Sequence, residues 1–418
     1  MVRGCEGARV RGVRGCDGMT KQHFRALLLG LTIPIAVVDV AAQDLVITNA
    51  RIIVGTGAVI EQGSIVVRNG RIVSVAKDAV GAAGMRTIDA RGMTAMPGFI
   101  DAHRHIIGGN PDQWLKEQAT VRMQEFLEAG YTTLMSGGGP VPGIIQLKAR
   151  IEKGDLKGPR IITSGRADPD LFKTEDEARA GVRKLAQAGV EIIKARIEPA
   201  ANPQEIAMLA VVTDEARKHN LDVMVHAVSP AAMLAAVKAG ARKLVHTPHG
   251  GWLTDAEARV VKDAGIEVLS TIGFGVPVFG VFNDNNVPTF RDGKPWPSGI
   301  LEGQGGRGKE AGEKAVNART LWDAGVTYGF GTDTGYHPKA GLAHELRALN
   351  LMFSPQDIVK LMGPNTAAFI EKSADLGTLE PGKLADIVVL DGNPLDGYWN
   401  LLNTRVVIKG GDVVVDKR

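Results

Sequence analysis

From Phe99 to Asp333 the chain keeps returning to one unit: a short apolar, largely β-branched run, then a longer stretch with helical spacing. The runs are Phe99–Asp101, Tyr131–Met135, Arg160–Thr163, Val190–Ala195, Leu221–His226, Lys243–His246, Ile266–Ser270 and Val326–Asp333. Helical patterns lie around Gln113–Ala129, over Glu175–Ala188, Pro203–His219, Pro230–Ala239 and Thr254–Ala264, and end again near Ala324. A strand that hands over to a helix returns to the sheet beside a parallel neighbour, since the crossover reverses the chain direction twice. Eight such strands in about 280 residues predict an α/β fold of the (β/α)8 TIM-barrel type, with a doubly wound open sheet as runner-up.

The two ends read differently. Residues 43–95 hold short strands punctuated by glycine and by Asn69-Gly70, the strongest short hairpin signal. The same texture returns in Ala385–Leu390 and Arg405–Val415. The expected organisation is a small β-sandwich built from both chain ends, residues 43–95 and 376–418, around a barrel at 96–375. Residues 1–42 read as a leader: Lys21 and Arg25 precede a short apolar run, Ala26–Val38, and Val40-Ala41-Ala42 supplies small residues for a cut before Gln43. That is the pattern of a secretory signal peptide starting at Met19, and the apolar run is too short to span a bilayer comfortably. An N-terminal anchor is the alternative. A periplasmic or secreted location is therefore expected, with no stable membrane insertion after cleavage.

Both cysteines, Cys5 and Cys16, fall in the leader. The remainder has neither disulfides nor thiolates, so any metal must be held by histidine, carboxylate or something less usual. It also carries 43 basic and 43 acidic side chains, and no basic stripe points to nucleic acid.

In a (β/α)8 barrel, functional groups gather at the C-terminal ends of strands. His103 and His105 end the first strand, two residues apart and so on one face, about 7 Å apart along it. Lys194 lies in the fourth strand, while His226, His246 and Asp333 end the fifth, sixth and eighth. Four of the nine histidines thus end a strand, a crowding that ordinary core histidines would not produce. Imidazoles in this number suit a metal ion, and Asp333 adds a carboxylate able to bind metal or to take a proton from water. A lysine ammonium cannot ligate a metal, and burying one beside a cation is costly. Carboxylated by CO2 on its amine, Lys194 becomes an anion able to bridge two ions; otherwise it is neutral, or paired with Glu191 or Glu198. His249, Arg196 and Tyr328 are candidate substrate contacts. His337 and His344 fit a loop and a helix after Asp333.

One stretch breaks the rhythm. Residues 273–312 are rich in glycine, proline, asparagine and aromatics, and they follow the seventh strand, so they are expected to form a lid or pocket wall. Gly303–Gly308 matches the dinucleotide fingerprint by letter but follows no strand, and flexible loop glycine is the better account.

Met96-Pro97-Gly98-Phe99-Ile100-Asp101-Ala102-His103-Arg104-His105 resembles the opening motif of the amidohydrolase superfamily, and Gly331-Thr332-Asp333 and Gly377–Asp391 are similar to later motifs of it. The ligand order His-x-His, Lys, His, His, Asp agrees. The likeness is greatest to the imidazolonepropionase-like branch, with its prolidase-like and mycotoxin-amide hydrolases. It implies the barrel, the two-ended β-sandwich, a zinc-type hydrolytic site and a carboxylated lysine in Ile192-Ile193-Lys194. The chain departs from prolidase-like relatives at Val228, where they tend to carry an aromatic hydroxyl that grips a substrate carboxylate, and at Ala195–Glu198, where a small glycine-rich turn is common. Arg196 or Arg166 could take over a carboxylate.

The expected function is cleavage of an amide in a small molecule, such as an N-acyl amino acid, a dipeptide or a mycotoxin-like aromatic amide. Hydrolysis of a lactone, ester, carbamate or cyclic imide uses the same chemistry. A catalytically dead binding protein would have lost ligands, and none is lost here. A small-molecule substrate is the expected partner, with a homo-oligomer left open.

Overall fold

The computed structural model describes residues 44–77, 84–273, 307–335 and 337–418. The leader and residues 274–306, which carry most of the expected lid and of the Gly303–Gly308 stretch, lie outside them. The first five strands are β1 (Leu45–Ile53), β2 (Val59–Arg68), β3 (Arg71–Ala76), β4 (Arg86–Asp89) and β5 (Thr94–Pro97). Nine barrel strands follow: β6 (Phe99–Arg104), β7 (Tyr131–Ser136), β8 (Arg160–Ile162), β9 (Ser164–Arg166), β10 (Ile192–Arg196), β11 (Asp222–His226), β12 (Lys243–Val245), β13 (Glu267–Leu269) and β14 (Thr327–Gly329). Then come β15 (Ile387–Leu390), β16 (Thr404–Lys409) and β17 (Asp412–Asp416).

The two chain ends share one sheet, ordered β17-β16-β15-β5-β1-β2-β3 with β4 on β1. Its core draws Leu45, Ile47 and Ile65 from one end and Val389 and Ile408 from the other. The Asn69-Gly70 turn takes positive φ at both residues, 48° and 73°, the twist that lets β2 fold back on β3. The strand β5 runs on to Pro97, which pairs with Ile387, so the expected boundary at residue 96 falls inside it.

The barrel strands pair in parallel, β6-β7-β8 and β9 through β14. The third stave is one run interrupted at Thr163, whose carbonyl accepts from both Glu191 and Ile192 N–H. Closure comes from Ala102 N–H donating to the Phe330 carbonyl (3.1 Å), Asp333 N–H to His103 (2.8 Å) and His105 N–H to Thr334 (3.2 Å). Alternation sorts the side chains. Ile192, Met224, Val245 and Leu269 fill the interior, while Ile193, Val225, Leu244 and Val268 face the helices.

The helices follow their local signals. Over Glu175–Ala188, Thr174 caps the start by accepting from Glu177 N–H, and Gly189 ends it at φ 83°. The helical stretch expected around Gln113–Ala129 is divided into two helices, Pro111–Glu117 and Ala119–Glu128, at Gln118. Gly143–Glu152 is a helix that the sequence reading did not assign, and Pro338–Leu349, which carries His344, is the helix expected after Asp333.

Candidate metal centre

The end of β6 and the turn after β14 meet at one point. His103 Nε2 lies 3.2 Å and His105 Nε2 2.9 Å from the same oxygen of Asp333, Oδ1. His103 and Asp333 are buried, and His105 is half exposed at the mouth. These three side chains can offer ligand atoms within 4.8 Å of one another. Asp333 takes φ 51°, a conformation aspartate tolerates better than most residues. Gly331 is needed two residues earlier, because a Cβ there would stand 3.0 Å from His103 Cβ.

His246 and His226 extend the cluster. The His246 ring lies 5.4 Å from that of His103 and 4.3 Å from that of His226, centre to centre. Its Nδ1 sits 2.7 Å from Thr271 Oγ1 and 3.7 Å from Asp333 Oδ2. Lys194, buried on β10, belongs to the same inward row as Ile192. Glu191 pairs with Lys148 and Glu198 with Arg196, so the carboxylates that act on its amine are Asp333 and Asp168 instead.

The electrostatics suit ligands. Burial pushes the imidazoles towards neutrality, His103 to about 4, His226 to about 3 and His246 well below its ordinary value. Burial would raise Asp333, but the neighbouring imidazoles outweigh it and hold the carboxyl far below the usual carboxylate range. Burial also lowers the Lys194 amine to about 8. His103 Nδ1 and Asp333 Oδ1 are buried without a hydrogen bond, which is costly unless a ligand meets them. Neutral nitrogens, an ionised carboxylate and unsatisfied buried atoms together fit a divalent cation. His103, His105, His226, His246, Asp333 and, if carboxylated, Lys194 are the residues that would hold it.

The surrounding contacts are uneven. Gly165 faces the helix layer, where a Cβ would strike Leu185, so its neighbour Arg166 turns inward, register-paired with Lys194. Arg166 donates to Asp168 through Nε (2.8 Å) and Nη2. Arg196 follows Lys194 in the inward row and pairs with Glu198 at 3.0 Å and Asp170 at 3.4 Å. His249 is largely buried, 3.6 Å from Glu310. Tyr328 is a correction: it has no exposed surface, its ring stacks on Phe353, and its hydroxyl bonds to Thr247. Strand alternation turns it towards the helices, where it offers no atom to a substrate.

The sequence reading passed over Gly137 and Gly138. A Cβ on the first would come within 3.0 Å of the His103 ring, and one on the second within 3.1 Å of Lys194 Cγ and 2.9 Å of Arg166 Cγ. The signal was a glycine run directly after a strand, which marks close approach of backbone.

A (β/α)8 barrel with neutral imidazoles and an ionised carboxylate at its strand ends is the frame of a metal-dependent hydrolase. Residues 94–414 match the amidohydrolase family, and the chain belongs to it. An imidazolonepropionase of Caldanaerobacter subterraneus subsp. tengcongensis is 25% identical over 85% of this chain and 91% of its own. An N-acyl-D-aspartate deacylase of Alcaligenes xylosoxydans xylosoxydans is 31% identical over 43% of this chain and 35% of its own. The crystal structure of a proposed prolidase from Bifidobacterium longum is 26% identical, with a TM-score of 0.73 over 90% of this chain and 97% of that one. The protein is accordingly a hydrolase acting on carbon–nitrogen bonds of small molecules.

Proposed function

We propose that this is an exported, zinc-type amidohydrolase that cleaves the amide of a small molecule bearing a carboxylate, of the N-acyl amino acid, dipeptide or aromatic-amide kind. The observation that carries the reading is the meeting of His103, His105 and Asp333 at one buried point beside His226, His246 and Lys194. When bound, one or two Zn2+ ions lower the pKa of a water and polarise the substrate carbonyl. Asp333, ionised at neutral pH, takes the proton of the attacking water and returns it to the leaving nitrogen. Lys194 retains a neutral fraction near neutral pH because its amine is lowered to about 8. The neutral nitrogen can add to CO2 and lose a proton, giving the carbamate that would join two ions.

Arg166 and Arg196 supply the charge for a substrate carboxylate, in the place of the hydroxyl that Val228 lacks. Resemblance to a deacylase of N-acyl-aspartate supports an anionic substrate. The imidazolonepropionase relative favours a second reading, a cyclic amide opened by the same residues. A panel of N-acyl amino acids, dipeptides, neutral amides, cyclic imides and lactones tests both, with metal content measured on the same protein. Turnover of acyl amino acids above neutral amides is expected. Turnover restricted to lactones would overturn the amide assignment. Secretion is tested by finding the processed chain outside the cytoplasm, beginning near Gln43.

A further inference from the structure

Arg104 stands between His103 and His105, yet its guanidinium does not enter the mouth. It is 1% exposed, the bulkiest of the fully buried side chains, and lies over the ring of Phe126, 5.0 Å from its centre. It donates to Thr332 Oγ1 at 2.9 Å and, through the same Nη1, to Thr334 Oγ1. Those two threonines flank Asp333.

Thr332 is held a second time. Its N–H (3.1 Å) and its hydroxyl (2.6 Å) both donate to the buried carboxylate of Asp101, which also accepts from His103 N–H at 3.1 Å. Arg104 lies 3.9 Å from Asp101 and offsets its charge. Even the neighbouring helix, Pro338–Leu349, makes room: a Cβ on Gly341 would come 2.8 Å from Arg104 Nη1 and 2.8 Å from Thr334 Oγ1.

The conformation at Asp333 needs such support. A non-glycine residue at φ 51° is unfavourable unless its neighbours fix it. Asp333 has one backbone tie, its N–H to the His103 carbonyl, and a threonine on each side joined to one guanidinium. We propose that Arg104 is a positioning residue for the metal site: through Thr332 and Thr334 it fixes the carboxylate of Asp333 against His103 and His105, and thereby sets metal affinity. Arginine suits the task because its Nη1 donates to both hydroxyls while the weakly hydrated guanidinium lies over Phe126, a burial that a strongly hydrated lysine ammonium tolerates less well.

The inference rests on the metal-centre reading, and the experiment separates the two. Full-length wild type, Arg104→Lys, Arg104→Met and Thr334→Val are stripped of metal and titrated with Zn2+ against a chromophoric chelator. Each is also loaded with Co2+ for its visible absorption spectrum, and the metal-free proteins are melted. Both Arg104 variants and, to a lesser degree, Thr334→Val should bind Zn2+ more weakly, about tenfold or more for the arginine changes, as expected for loss of a group that orients a ligand. Lysine should rescue no better than methionine, and the Co2+ bands should shift or weaken.

Thr334→Val keeps the shape of the residue and removes one acceptor, so it decides the matter if an Arg104 variant does not fold. Wild-type affinity and spectrum in Thr334→Val together with Arg104→Lys would overturn the proposal. So would lowered metal-free melting with unchanged affinity, the mark of a merely structural role. If wild type itself takes up no divalent metal, the metal-centre reading fails, and the positioning role fails with it.

Discussion

Glu345 offers a test in which the structure sets both sign and size. Its carboxyl is buried on helix Pro338–Leu349 and accepts from Ile272 N–H (2.9 Å) and Gly273 N–H (2.7 Å), the residues that follow Thr271, the neighbour of His246. Burial pushes its pKa up to about 7, against the pull of Ser270, the two N–H donors and Lys314. An acid whose folded pKa lies above its unfolded value of 4.5 binds more protons when folded throughout the interval between them. The stability it contributes is present at pH 5 and is lost as pH rises through about 7. Between pH 5 and pH 8 the loss amounts to about 2–3 kcal/mol.

Glu345→Gln removes the titration. Its single carbonyl can accept one of the two N–H groups and its amide confronts the other, a pH-independent cost of about 1–3 kcal/mol. Urea unfolding of wild type and variant at pH 5, 6, 7 and 8 measures the gap between them. It should shrink by about 2–3 kcal/mol from pH 5 to pH 8, most of it between pH 5 and pH 7. A gap that stays constant, or widens towards pH 8, would refute the reasoning. It would mean that the two N–H groups and Lys314 hold the carboxylate ionised in spite of burial.

Three further outcomes follow from the site and its frame. Asp333→Asn should keep the fold, since asparagine accepts φ 51°, and lower amide turnover about 10²–10⁴-fold, the share of a proton-transferring group. Lys194→Met should fold and carry less metal per chain by elemental analysis if the carbamate joins two ions, and the same amount if one ion sits on the histidines and Asp333. Arg160→Met strands the carboxylate of Asp386, which accepts from Arg160 and from Gly410 N–H, each at 2.8 Å. Because this pair ties the barrel strand β8 to the chain entering β15, the loss should be about 2–3 kcal/mol by denaturant unfolding.

How much could be read in advance depended on period. His103 and His105 were legible because two residues is the repeat of a strand, and His226, His246 and Asp333 because each closes a run whose apolar character names it a strand. The helix Glu175–Ala188 was legible to the residue because capping threonine and terminal glycine bracket it. Gly143–Glu152 was hidden behind Gly137-Gly138-Gly139-Pro140, which reads as loop and masks the start of the helix. The helical stretch around Gln113–Ala129 was legible, but nothing in its apolar spacing announces the break at Gln118.

The misplacement of Tyr328 has a different cause. Tyr328 belongs to the same strand run as Asp333, but alternation within β14 decides which side of the wall a residue takes. A Cβ on Gly329 would meet the interior Leu269 at 3.1 Å, so Gly329 faces inward and Tyr328 must face the helices. Arg104 is the same lesson on β6. The register there shifts between Asp101 and Arg104, so counting twos from Ile100 does not predict which of the next residues turn in. Only the partners reveal it: His103 meets Asp333, while Arg104 meets Phe126, Thr332 and Thr334. The residues that meet at the candidate metal site were therefore readable from spacing, whereas the ties of Arg104 and Asp101 to Thr332 were not, because those partners lie more than two hundred positions away along the chain.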